Sequence, residues 1–173
     1  MIFGDKNIYA IEVYHKPLDN GSFYMTGRMC IHLFGKIFGD INEEDCWLDG
    51  VYMTLVEKNN NLDLLEYDFN LDNDYNIFKF LDDKLYIDMN RTSEQIKIDA
   101  EIYGKFGFMT NMGESFDHTK SFIYMDYKNN IHILYQIHDY KDEIICNELD
   151  KLTFKTITNE FIKWFEKTEK EKK

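Results

Sequence analysis

The sequence predicts an α+β fold: an antiparallel sheet with helices packed on one face, a late β-hairpin and a C-terminal helix. Three observations point there. Alternating apolar and polar residues open the chain, two aromatic-rich strand-like runs lie late in it, and apolar stripes at helical spacing fall in the middle and at the end.

The first segment, "NIYAIEVYH" (7–15), alternates. Tyr9, Ile11 and Val13 face one way and Ala10, Glu12 and Tyr14 the other, as in a half-buried strand. "KPLDNGS" supplies turn chemistry, with Asn20-Gly21 tolerating positive φ. A second strand follows in "MTGRMCIHLFGKIFGD". Met29, Ile31 and Leu33 line one side of it and Arg28, Cys30 and His32 the other. Gly35-Lys36 marks a tight turn into a short return strand.

The period then changes. Leu48, Val51, Tyr52, Leu55 and Val56 recur at helical spacing, although Gly50 is a poor helix former near the start. Residues 57–76 read as loop or helix edge. "DYNIFKFLDDKLY" predicts a helix capped by Asp74, with Ile77, Phe78, Leu81 and Leu85 as its stripe. A hairpin around Asp82-Asp83 is the rival reading. Residues 90–113 carry no clear pattern.

"SFIYMDY" and "IHILYQI" form the late hairpin. A two-residue loop at Asn129-Asn130 sets Lys128 against Ile131, Tyr124 against Tyr135 and Phe122 against Ile137. In the last helix Ile157, Phe161, Trp164 and Phe165 make the stripe. Thr153 or Thr158 caps its start, and the lysines from Lys167 to Lys173 suit the negative end of its dipole.

Composition narrows the function. The chain has 173 residues, 44% of them hydrophobic and 16% aromatic, enough for a core despite a net charge of -12. The one proline and the lack of a repeat give no domain break, so residues 1–173 are expected to form a single domain. The negative charge argues against a nucleic-acid face, which needs clustered Lys and Arg, and against an anionic membrane surface. It favours a basic partner, though acidity for solubility alone gives the same number. Three unpatterned cysteines, no signal peptide and no membrane-length apolar run predict a cytoplasmic chain with reduced thiols.

No chemical motif assembles in the sequence. Asp117 and His118 are neighbours that point apart on an extended segment, and Ser115 and Cys146 lack a nucleophile-elbow context. His132 and His138 are six residues apart on one strand, about 20 Å, too far to share an ion. His15 and His32 add no metal pattern. Asp68, Asn70, Asp72 and Asp74 alternate as in a calcium loop, but Asn73 stands in the glycine position and Lys79 in the glutamate position. There is no P-loop and no GxGxxG. No metal and no cofactor is therefore expected.

What remains is the acidic, aromatic segment. Asp63, Glu66, Tyr67, Asp68, Asp72 and Asp74 form a candidate partner-binding set, with Phe69 and Tyr75 interleaved. Carboxylates steer a basic protein and aromatics anchor it. The competing reading is a solvated loop whose aromatics tuck into the core.

Four stretches carry a resemblance: "MIFGDKNIYAIEV", "GRMCIHLFGKIFGD", "ESFDHTKSFIYMDYKNNIHILYQ" and "NEFIKWFEK". They resemble, in order, the opening strand, the second strand with its Gly-Lys turn, the Phe-Asp element before a hairpin, and the final helix of the immunity protein 42 family of bacterial polymorphic-toxin systems. Thr119 stands where that family often has an aromatic, and residues 57–110 carry none of the likeness. The resemblance implies a non-enzymatic inhibitor in the cytoplasm, one monomer binding one cognate toxin protein. The alternative is a small hydrolase-like enzyme using His118 or Cys146.

Overall fold

The computed structural model describes residues 1–16, 24–67, 69–87, 91–137 and 143–170. Along the chain run β1 (Ile2–Asp5), β2 (Tyr9–His15), β3 (Thr26–Leu33), β4 (Lys36–Phe38), β5 (Cys46–Trp47), α1 (Leu48–Asn60), α2 (Asp74–Leu85), α3 (Ser93–Tyr103), α4 (Glu114–Asp117), β6 (Thr119–Met125), β7 (Asn130–Ile137), β8 (Ile144–Asp150) and α5 (Lys151–Lys170). Two short 3₁₀ turns, Leu62–Leu65 and Gly104–Phe106, join the helices. The α+β class, the antiparallel pairing and the C-terminal helix are as the sequence predicts. The strands divide between two sheets, and β8 adds a third strand to the late hairpin.

The first sheet runs β1-β2-β3-β4, with β5 also pairing to β3. Glu12 pairs with Cys30, so the two faces read from the sequence are the two faces of this sheet. Tyr9, Ile11, Val13, Met29, Ile31 and Leu33 point into the core, under α5. There Tyr9 stacks on Phe154 at 5.5 Å and Phe3 meets Phe161 edge-on at 6.1 Å. Gly4 allows this approach: at φ +92°, a Cβ there would stand 2.3 Å from the Tyr9 carbonyl oxygen and 2.7 Å from Ile157. α1 packs beside α5, with Tyr52 stacked on Phe165 at 4.3 Å.

The second sheet is β6-β7-β8. One face turns Ile123, Ile131, Ile133 and Tyr135 into the same core, where Tyr135 stacks on Phe38 of β4 at 4.5 Å. The other face lies under α2: Phe78 meets Phe122 at 5.1 Å and the Lys120 amine holds Asp82 at 2.5 Å.

Three local expectations are corrected. The β6–β7 register sets Tyr124 against His132 and Phe122 against Leu134, not Tyr135 and Ile137, and Lys128 is in the turn. The cause is Asp126. Its carboxylate accepts the Lys128 and Asn130 amides, both at 2.8 Å, which starts the turn earlier and places Asn129 at φ 65°. The α2 cap is Asn73, whose side chain accepts the Asn76 amide at 3.0 Å; Asp74 is the first helical residue and turns inward. The α5 cap is Asp150, which accepts the Thr153 amide at 2.9 Å, while Thr158 is buried against the Tyr9 hydroxyl. The Asn20-Gly21 turn, His138, Lys172 and Lys173 lie outside the described residues.

Residues 90–113, unpatterned in sequence, contain α3. It begins with a capping box in which Thr92 and Gln95 satisfy each other's backbone amides.

Candidate functional site

The segment joining α1 to α2 lies along the second sheet. Glu66 forms a parallel bridge with Met125, and the Tyr67 amide donates to the Met125 carbonyl. This brings the segment beside the β6–β7 turn and opens a groove of about 390 Å³ between them. Glu66, Tyr67, Leu71, Tyr124, Asp126 and Tyr127 line it.

The six residues singled out from the sequence have different places here. Asp63, Glu66 and Asp72 are exposed. Asp63 receives the Lys151 amine at 2.5 Å, and that cation lowers its carboxyl pKa. Tyr67 is half-buried, packed on Phe69 at 4.6 Å and Phe106 at 5.5 Å, with the Lys105 amine over its ring. It therefore builds the wall of the groove. Asp74 accepts the Tyr124 hydroxyl at 2.5 Å and faces His132 Nδ1 at 3.3 Å, so it anchors the floor. Asp68 lies outside the described residues. Phe69 tucks between Tyr67, Phe80, Phe106 and Tyr124, as the competing loop reading held.

Tyr75 was read from the sequence beside this set, whereas Tyr127, Leu64 and Leu71 were not. Tyr127 is 80% exposed at the tip of the turn, and Tyr75 is 51% exposed on the first turn of α2. Leu64 and Leu71 are also exposed. Leu71, Tyr127 and Glu66 line the groove, while Leu64, Asp72 and Tyr75 are exposed on the flanking chain. The signal for Tyr127 was its place inside a hairpin turn, where no core position exists for it.

Beneath the groove, His132 is buried between two carboxylates. Its Nδ1 lies 3.3 Å from Asp74 and its Nε2 lies 3.5 Å from Asp126, and its ring stacks on Tyr124 at 4.4 Å. The nitrogens are off line for well-formed hydrogen bonds, so these contacts are ionic when the ring is protonated. Burial alone pulls the His132 pKa down, but Asp74 and Asp126 outweigh it and the net shift is upward. Both carboxyl pKa values are lowered: burial opposes this, and His132 with the Tyr124 hydroxyl for Asp74, or the turn amides for Asp126, overcomes it. The Tyr124 hydroxyl pKa is raised by burial and by its bond to Asp74. The cluster ties α2, β6 and β7 into one rigid floor.

The residues of the enzyme alternative do not converge. His118 ends α4 beside a cavity of about 310 Å³ lined by Ser115, Thr119 and Ile137. Cys146 pairs with Leu134 on β8, across β7 from Phe122 and three positions along from Thr119, about 10 Å along the strand. Its thiol is pushed up to about 11 by burial and by Asp74.

One further group of chemistry-bearing side chains occurs, on the outward face of the first sheet. Glu12, Cys30 and His32 place their ligating atoms within 4.8 Å of one another. His32 Nε2 is 2.8 Å from Glu12 Oε2, which also receives the Lys6 amine at 2.5 Å. These three are the residues among those described that could hold a metal ion.

Two packed antiparallel sheets with flanking helices define an α+β protein that carries a rimmed, partly apolar groove. The chain belongs to the immunity protein 42 family, whose sequence model matches residues 1–164 and so runs through the middle region where the resemblance was not readable. The crystal structure of CdiI from Burkholderia dolosa AUO158 has a similar fold, with TM-score 0.60 over 92% of this chain and 97% of that chain at 13% identity. No curated protein matches in sequence. Among the described residues, no helix is long and apolar enough to cross a membrane.

Proposed function

We propose that this protein neutralises a cognate bacterial toxin by binding it in the cytoplasm, and that it transforms no substrate itself. The observation that carries this reading is membership of the immunity protein 42 family. The name CdiI on the structurally similar Burkholderia dolosa protein accords with it.

The groove between the α1–α2 segment and the β6–β7 turn is the contact we favour. Tyr127 and Leu71 in the groove supply apolar anchors and Glu66 supplies charge beside them, with Tyr75, Asp72 and Asp63 exposed on the flanking chain. The rigid floor of Asp74, Tyr124 and His132 keeps the groove formed before binding, which lowers the ordering cost. With 32 acidic against 20 basic side chains, the chain attracts a basic toxin domain at long range. One monomer binding one toxin, all 173 residues acting as one domain, is the stoichiometry we expect.

Binding kinetics with a toxin domain sought among the products of the genes neighbouring this one test the reading. Glu66→Gln with Asp72→Asn should slow association and flatten its salt dependence, and Tyr127→Ala should speed dissociation. Unchanged rates in both variants, with the toxin still inhibited, would remove this groove from the interface.

A further inference from the structure

Glu12, Cys30 and His32 stand on adjacent strands β2 and β3. Glu12 and Cys30 are a cross-strand pair, and Cys30 and His32 are two apart on one strand, so all three project from the same outward face. They are 8%, 0% and 5% exposed. The set holds one sulfur, one imidazole nitrogen and one carboxylate oxygen. Hard cations take oxygen shells, whereas this mixture suits a borderline-soft divalent ion of the zinc type.

The spacing agrees. Around a tetrahedral zinc, a Cys sulfur and a His nitrogen lie about 3.6 Å apart. Cys30 Sγ and His32 Nε2 are 3.5 Å apart. The nitrogen–oxygen edge of such a site is about 3.4 Å. The 2.8 Å contact of His32 with Glu12 must therefore open by roughly half an ångström. Glu12 also lines an open cavity of about 400 Å³ with Tyr14, Arg28, Ile41 and Asn42, so an ion and its fourth ligand, water, have a route in.

We infer that Glu12, Cys30 and His32 form a binding site for a zinc-type divalent cation, with the fourth position open to the cavity. The Lys6 amine, now against Glu12, is the built-in competitor. Its side chain is 43% exposed and can swing into solvent when the cation arrives. Binding requires the Cys30 thiolate, so the thiol proton leaves as the ion binds. The site lies on the first sheet and the groove on the second, so it stands independently of the toxin-binding reading.

Cobalt(II) titration of the chelator-stripped full chain tests this. The expected result is a one-to-one transition with a thiolate-to-cobalt charge-transfer band and ligand-field bands of tetrahedral intensity, both removed by zinc. Cys30→Ser should abolish the charge-transfer band, and His32→Gln and Glu12→Gln should weaken binding while far-UV circular dichroism stays unchanged. If these variants fail to fold, Lys6→Met decides: removing the competing amine should tighten binding by about tenfold. No charge-transfer band in the wild type, the full band in Cys30→Ser, or unchanged affinity in Lys6→Met would each overturn the assignment.

Discussion

His132→Gln is the perturbation that probes the floor of the groove. Glutamine has a similar reach and keeps a donor, but it cannot carry the charge that Asp74 and Asp126 face at 3.3 Å and 3.5 Å. Charge-assisted contacts contribute about 1.5–3 kcal/mol each when well formed. These are off line, and the two carboxylate side chains keep 27% and 19% of their exposure, so solvent screening places the total loss near the low end, about 1.5–2 kcal/mol. The pH dependence carries the sign. The folded His132 pKa is raised, so its contribution is fully present below the ordinary histidine pKa of about 6.5 and is lost as pH rises through the folded value. The folded Asp74 and Asp126 pKa values are lowered, so their contribution is present above about 3.9 and is lost as pH falls through the folded values. The stability gap between wild type and variant should therefore peak between about pH 4 and 6.5 and narrow towards pH 9. Urea unfolding followed by circular dichroism across that range measures it. A gap that stays flat, or widens on the alkaline side, would refute the ionic account of this cluster.

Other outcomes follow from the packing. Phe38→Ala removes a ring that stacks on Tyr135 at 4.5 Å and meets Phe116 at 5.2 Å, and should cost about 3–5 kcal/mol in urea unfolding. Gly50→Ala should destabilise despite the usual gain of about 1 kcal/mol for alanine in a helix, because its Cβ would stand 2.4 Å from the Trp47 ring; in a Trp47→Ala background the same change should stabilise. Asp126→Ala removes two amide partners from the hairpin turn and should lower the thermal midpoint, with a loss of about 1–2 kcal/mol.

How legible this protein is in sequence differs by region. The two faces of the first sheet are readable because Tyr9, Ile11 and Val13 alternate cleanly with Glu12 and Tyr14, and strand parity needs no tertiary information. The α1 stripe is readable too; Gly50 looked like a weakness because the sequence does not show that the ring of Trp47, the residue before the helix, folds over it. The hairpin was located but its register was not. Asn129-Asn130 has turn chemistry, yet the Asp126 side chain captures two amides and starts the turn earlier. α3 was invisible because it buries no residue fully, so no apolar stripe marks it, although Thr92 and Gln95 spell its capping box. At the site, the acidic segment was visible as composition, while the sorting of its members was not. Asp74 turns inward only because His132 and Tyr124 arrive from strands far along the chain. Cys30 and His32 had the same parity in sequence, but Glu12 joins them only through the β2–β3 pairing.

The measurement that bears most directly on toxin neutralisation is an activity titration. A toxin domain sought among the products of the neighbouring genes is assayed on its own substrate while the purified protein is added. Loss of toxin activity at one equivalent, reversed in the Tyr127→Ala, Glu66→Gln, Asp72→Asn combination, is the expected result. Full toxin activity in the presence of excess folded protein would contradict it.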